Sequence, residues 1–269
     1  MAKLIPRSVS HIVHFDPAMI QKFTETPFPD GTRVYLSYWN DIDGLALLRP
    51  YFPLALRQVI SPHLQLTERQ WLQLMLGILN RLVPTHEAGL PHGDLCPSNG
   101  NLNPFAPLML VRLQLPVNGE YDPYQMHISD FGIYFLTQLV DSTGRPFLVP
   151  GPLEYMSPEL RNLERIDPNP MSDMWAVGAI GYEMTMGQEM DATTPIFQPI
   201  ENYYRGQELD LSQIPERFTH YVREIIRRCL HRDPRERYTV RRLFTHIRQL
   251  LAMNPAQTPT TFMPTTGWT

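Results

Sequence analysis

The run LQLTERQWLQLMLGILNRLVPTHEAG, residues 64–89, constrains the fold more than any other stretch. Trp71, Leu72, Met75, Ile78, Leu79 and Leu82 recur at the three-to-four-residue spacing of one helix face. Thr67 stands where an N-cap belongs and Gly89 where the helix must stop. An apolar face of that length has to be covered by the rest of the chain. Met and aromatic residues at this spacing are therefore read as core rather than as a cofactor box. With 269 residues, 43% of them hydrophobic, there is material for one large domain or two lobes around such a helix.

The flanks differ in character. Before the helix, HIVHF and TRVYLSYW are two β-rich runs, parted by a segment ending in TETPFPDG, whose Pro, Asp and Gly are turn residues. After it, LMLVRLQL and YQMHISDFG read as strands joined by PVNGEYDP, where Asn-Gly predicts a hairpin turn. Residues 133–171 hold Pro and Gly without clear periodicity and read as a long loop of the kind that carries function. SDMWAVGAIGYEMTMG predicts a buried helix capped by Ser172 or Asp173 and stopped at Gly187. Two more helices are expected in PERFTHYVREIIRRCL and TVRRLFTHIRQLLA, and the Pro/Thr-rich end, NPAQTPTTFMPTTGWT, reads as a disordered tail. The expected division is a β-containing start over 1–44, a mainly helical body over 45–252 and a tail over 253–269.

A net charge of −4 gives no electrostatic reason to expect nucleic acid or an anionic membrane. No apolar run reaches the length that spans a bilayer, and no signal peptide is legible. Two cysteines, Cys96 and Cys229, make neither a metal-ligand spacing nor a disulfide framework, so a soluble, cytoplasmic protein is expected. Lysine occurs only at Lys3 and Lys22, with arginine elsewhere, a skew read as codon bias in preference to selection against a modifiable amine.

The chemistry concentrates in GLPHGDLCPSNGNL. Asp94 can accept a proton, and Asn99, five positions on, can hold a metal ion. Asp130, thirty-one positions after Asn99 and at the end of a strand run, adds a second oxygen ligand. A base beside an attacking hydroxyl and a cation against phosphate charge are what phosphoryl transfer requires. Any one of these residues alone is more often a turn or cap residue; in this order, with a hairpin between them, that reading becomes weak.

Five motifs then fall in order and resemble the C-terminal lobe of eukaryotic-type Ser/Thr protein kinases. HGDLCPSN is similar to the catalytic loop, Asp130-Phe131-Gly132 to the metal-binding triplet and GPLEYMSPEL to the end of the activation segment. SDMWAVGAIGYEMTMG resembles the buried helix behind the active site, and RCLHRDPRERYTVRRLFTH the final helical pair. HGDL also resembles antibiotic and choline phosphotransferases, but those lack the SPE, SDMWAVG and DPRERY elements. The resemblance implies an α+β, protein-kinase-like fold: a mainly helical C-terminal lobe with a truncated β portion in front. It implies Asp94 as catalytic base, Asn99 and Asp130 as ligands of magnesium with ATP, and a protein substrate or partner. It implies structural roles for Glu159 paired with Arg237, and for Asp173 holding the backbone of the catalytic loop.

Several departures bear on activity. No Gly-rich loop precedes SHIVHF, and neither Lys3 nor Lys22 stands where the ATP-holding lysine and its intervening helix would fit. Residues 1–40 are therefore expected to give only a small strand pair. Cys96 replaces the lysine that steadies the transferring phosphate, Pro152 the threonine that bonds it, and Gly93 the arginine that reads a phosphorylated loop. The expectation is a pseudokinase or interaction module with weak nucleotide binding. The alternative is an active Ser/Thr kinase whose ATP lid is unrecognised, supplied by a partner or lost by gene truncation.

Overall fold

The structure, a computed structural model, describes residues 3–4, 13–14, 33–39, 42–48, 54–61, 63, 65–93, 95–97, 111–113, 116–128, 138–140, 146–147, 152–162 and 168–253. Its first strands are β1 (Lys3–Leu4), β2 (Val13–His14), β3 (Arg33–Trp39) and β4 (Ile42–Leu48). β3 and β4 pair antiparallel from Arg33↔Leu48 to Trp39↔Ile42, and β1 adds to the other edge of β4. β2 instead pairs with β8 (Gln138–Val140), which also pairs with β9 (Pro146–Phe147). This corrects the expected strand pair: the two early runs lie in separate sheets, and β3 takes its partner from IDGLALL, whose small and acidic residues hid a strand. β4 also runs through residues 44 and 45, where the sequence reading divides the chain.

β5 (Leu54–Ala55) leads straight into α1 (Leu56–Val59) and pairs with β6 (Val111–Leu113), which pairs with β7 (Met126–Ile128). Between β6 and β7, Val117 and Glu120 bridge across Asn118 and Gly119. Both turn residues have positive φ, 52° and 77°, the conformation that Asn-Gly tolerates and a right-twisted hairpin needs.

The predicted long helix is α2 (Glu68–Glu87). Thr67 accepts from the Gln70 backbone while the Gln70 side chain accepts from Thr67 N–H, a reciprocal capping box. Trp71, Met75, Ile78, Leu79 and Leu82 are fully buried. The helices that cover them are α4 (Pro170–Met186) and α7 (Val240–Met253), while α6 (His220–Cys229) backs onto α4. The Trp71 indole N–H donates to the Gly181 carbonyl at 2.8 Å, so this buried donor is paired.

α4 starts earlier than expected. Asn169, not Ser172 or Asp173, is its cap: the Asn169 side chain accepts from Met171 and Ser172 N–H, and Ser172 returns a bond to Asn169 N–H. Pro170, in the first turn, has no N–H to leave unpaired there. Residues 133–171 are also less loop-like than expected. They hold β8, β9, a 3-10 turn at Leu153–Tyr155 and the short α3 (Pro158–Arg161). α5 (Gln198–Tyr204), unforeseen in the sequence, follows α4. The tail from residue 254 onward lies outside the described residues. Among the described residues, no helix is long and apolar enough to cross a membrane.

Helix α4 is buried on nearly every side, which requires close approach by α6. A Cβ added at Gly178 would lie 2.6 Å from the Cβ of Cys229 and 3.0 Å from Leu230. Neither neighbour can swing away, because both atoms sit close to their own backbones. Gly178→Ala is therefore expected to destabilise the chain by about 1–3 kcal/mol through overpacking, despite alanine's better helix propensity. Urea unfolding checks this; a midpoint equal to or above wild type would contradict the close packing.

Candidate active site and its scaffold

Asp173 organises the loop that follows α2. Buried in the first turn of α4, its Oδ2 accepts from His92 N–H at 2.5 Å and its Oδ1 from Gly93 N–H at 2.9 Å. His86, from the last turn of α2, brings Nε2 to 2.8 Å from Oδ2. A carboxylate can only accept, so Nε2 carries the proton of this hydrogen bond. Backbone donors and an imidazole thus fix the entry to HGDLCPSN against two helices. Asp94 lies between Gly93 and Leu95 but outside the described residues, as do Asn99 and Asp130. Their separations are not part of the described structure.

Around that loop the side chains turn inward. His92, Leu95 and Cys96 are buried. A thiol enclosed in this way offers phosphate no positive charge, in contrast to the lysine it stands for. Pro152 (φ −56°, ψ 125°) precedes the turn at Leu153–Tyr155 and makes no side-chain hydrogen bond there. The turn's Leu153 is exposed whereas Tyr155 is buried.

The second scaffold pair joins α3 to the loop before α7. Arg237 Nη1 and Nη2 donate to Glu159 Oε1 and Oε2, each at 2.7 Å. The guanidinium also donates to the carbonyls of His231, Met171 and Arg232, and lies over the Trp175 ring at 5.2 Å. Burial alone would raise the Glu159 carboxyl, but the two Arg237 hydrogen bonds and its charge outweigh that and hold it below the ordinary carboxylate range. Nearby, Arg161 pairs with Glu201 at 2.8 Å and sits over the Tyr204 ring, whose hydroxyl donates to the Met156 carbonyl. Residues 152–161 are thereby tied to α4, α5 and the loop before α7.

This arrangement is a held loop, a pinned peptide-length segment and a helical platform beneath both, and the chain matches the protein kinase domain family over residues 34–247. It belongs to the protein kinase family. A Caenorhabditis elegans protein, 3-phosphoinositide-dependent protein kinase 1, is 36% identical over 109 residues, covering 39% of this chain and 16% of that protein. Serine/threonine-protein kinase ULK3 of Xenopus laevis is 27% identical over 162 residues, 60% of this chain and 30% of its own length. Dual specificity protein kinase Ttk of Danio rerio is 30% identical over 198 residues, 68% of this chain and 17% of its own. The matched part of each relative is therefore no more than 30% of its length. The kinase fold here is α+β, with a mainly helical lobe.

Two features of this kinase lobe escaped the sequence reading. His86 joins Asp173, six residues upstream of the loop it steadies. Glu183 pairs with Arg57 and Tyr155 beneath the 3-10 turn. A signal for the second was available: Glu183 is a lone acid in the otherwise apolar AVGAIGYEMTMG, and such a residue needs a buried partner.

Proposed function

We propose that this protein is a kinase-like interaction module of the Ser/Thr class, with residues 45–252 as its working lobe and weak or no phosphoryl transfer of its own. Its partner is a protein or peptide engaged along residues 152–157. The observation that carries this reading is the contrast between scaffold and chemistry. Asp173, Glu159 and Arg237 hold the loop and segment in place, whereas Cys96 and Pro152 supply nothing to a transferring phosphate. Phosphoryl transfer depends on positioning and charge neutralisation, and without the lysine that Cys96 replaces the second would fall mainly to the metal.

The donor set still suits magnesium with ATP. Asn99 and Asp130 would offer hard oxygen ligands, the type that magnesium accepts while nucleotide phosphates complete its shell. Among the described residues no cluster of three His, Cys, Asp or Glu offers a competing metal site. Bound magnesium would neutralise phosphate charge. Asp94 would accept the proton of a hydroxyl, and the loop held by Asp173 would keep that carboxylate in place. With Cys96 in place of the lysine that steadies the transferring phosphate, the expected result is weak, magnesium-dependent nucleotide binding with little transfer.

The test is nucleotide binding with and without magnesium, followed by phosphate transfer to a protein substrate by wild type and by Asp94→Ala. Equal background labelling in both supports an interaction module. Robust wild-type labelling that vanishes in Asp94→Ala would establish the second reading, an active Ser/Thr kinase.

A further inference from the structure

Glu183 is fully buried in the C-terminal half of α4, and three donors converge on it. Arg57 Nη1 and Met190 N–H both donate to Oε1, the latter at 2.9 Å, and the Tyr155 hydroxyl donates to Oε2 at 2.8 Å. Arg57 Nη2 in turn donates to the Tyr155 oxygen at 3.1 Å. A second carboxylate waits outside: Glu189, half exposed, has Oε1 3.6 Å from Arg57 Nε. Asp191 also feels the charge of Arg57, from the surface. The Tyr155 oxygen is 3.4 Å from the Met190 carbonyl, an acceptor it does not need while Glu183 is ionised.

We propose that Arg57 is shared between an inner carboxylate, Glu183, and an outer one, Glu189, and that proton uptake by Glu183 hands the guanidinium outward and reverses the Tyr155 hydrogen bond. The proton comes from solvent and binds Oε2. Glu183 Oε2–H then donates to the Tyr155 oxygen, and the Tyr155 hydroxyl turns to the Met190 carbonyl. Oε1 keeps Met190 N–H, and Arg57, having lost its inner counterion, closes on Glu189. Both arrangements leave each buried polar atom partnered, which is what gives one node two stable states rather than one state and a defect.

Arg57 stays cationic in both states, since the carboxylates and Tyr155 outweigh the effect of burial. Burial pushes the Glu183 carboxyl up to about 7, against the pull of Arg57, Met190 N–H and the Tyr155 hydroxyl, so the exchange falls near neutrality. Tyr155 closes the 3-10 turn of residues 153–155. The consequence for a bound partner rests on the peptide-holding role proposed for that segment; the switch itself does not.

Carboxyl ¹³C NMR of the full chain, with no partner present, tests the switch apart from the proposed function. One glutamate resonance should titrate between pH 6 and 8 in wild type and be missing in Glu183→Gln. In Glu189→Gln its midpoint should fall by about half a unit or more, because Arg57 then stays with the ionised inner carboxylate. Amide exchange at Met190, corrected for the intrinsic pH effect, should follow the same midpoint. If Glu183→Gln does not fold, Glu189→Gln and wild type decide the matter between them. No carboxyl titrating in that window, or a midpoint unmoved by Glu189→Gln, overturns the proposal.

Discussion

Arg237→Met is expected to destabilise the folded chain by about 3–5 kcal/mol, the range found when one partner of a buried ion pair is removed. In a domain of this size that lowers the melting temperature by on the order of 10 °C. The cause is what remains behind: a Glu159 carboxylate that is only 5% exposed, and three carbonyls that lose their donor. Removing the charge as well should restore part of the loss, so Glu159→Leu with Arg237→Met is expected to be more stable than Arg237→Met alone. Glu87→Ala is the control. Its partner Arg241 is 56% exposed and Glu87 52%, and such surface pairs contribute about 0–1 kcal/mol. Equal melting of wild type and Arg237→Met would remove the basis for treating this pair as a scaffold.

The same pair sets a pH dependence. The folded Glu159 carboxyl lies below its unfolded value of 4.5, so the folded state binds its proton less readily than the unfolded chain does. Its stabilisation is complete above 4.5 and is lost as the pH falls through the depressed folded value. Wild type and Glu159→Gln should therefore differ at neutral pH and converge in acid, as measured by urea midpoints across that range. A gap that stays constant down to the lowest pH would contradict the sign.

What the sequence made legible follows from how local each signal is. α2 was readable because capping at Thr67, the apolar period and the stop at Gly89 all agree within one stretch. The Asn118-Gly119 turn was readable because positive φ at successive residues selects those types. β4 was missed because Asp41, Asp43 and Gly44 read as turn residues and its three leucines, Leu45, Leu47 and Leu48, keep no clean period; its pairing with β3, not its propensity, makes it a strand. The cap of α4 was misplaced because Ser172 and Asp173 are both good caps in isolation. The kinase resemblance already gave Asp173 to the backbone of that loop, and the fold engages it there while Asn169 caps the helix. Glu159 and Arg237 are 78 positions apart, and nothing local joins them; the family's motif order did. The node of Arg57, Tyr155 and Glu183 belongs to no quoted motif as a unit, and long-range packing alone assembles it.

Asp173→Ala is expected to be as damaging as Arg237→Met, but in a different place. It would strip the acceptor from His92 N–H, Gly93 N–H and the His86 imidazole at once. His92 is fully buried, and an orphaned buried donor costs about 1–3 kcal/mol, so the combined loss is about 3–5 kcal/mol. Asp173→Asn separates hydrogen bonding from charge. Its amide oxygen can still accept from one backbone N–H, but its NH₂ faces donors rather than acceptors, so it should rescue less than half of the loss. The local reading is sharper than the global one. Amide exchange at His92 and Gly93 should rise well beyond that of the α2 and α7 core in both variants, because only the loop loses its anchor. If Asn99 and Asp130 hold magnesium with nucleotide as proposed, with Asp94 as the base beside them, that binding should weaken in parallel with the loop protection. Retained protection at His92 and Gly93 in Asp173→Ala would mean that something other than this carboxylate holds the loop, and the scaffold argument would fail with it.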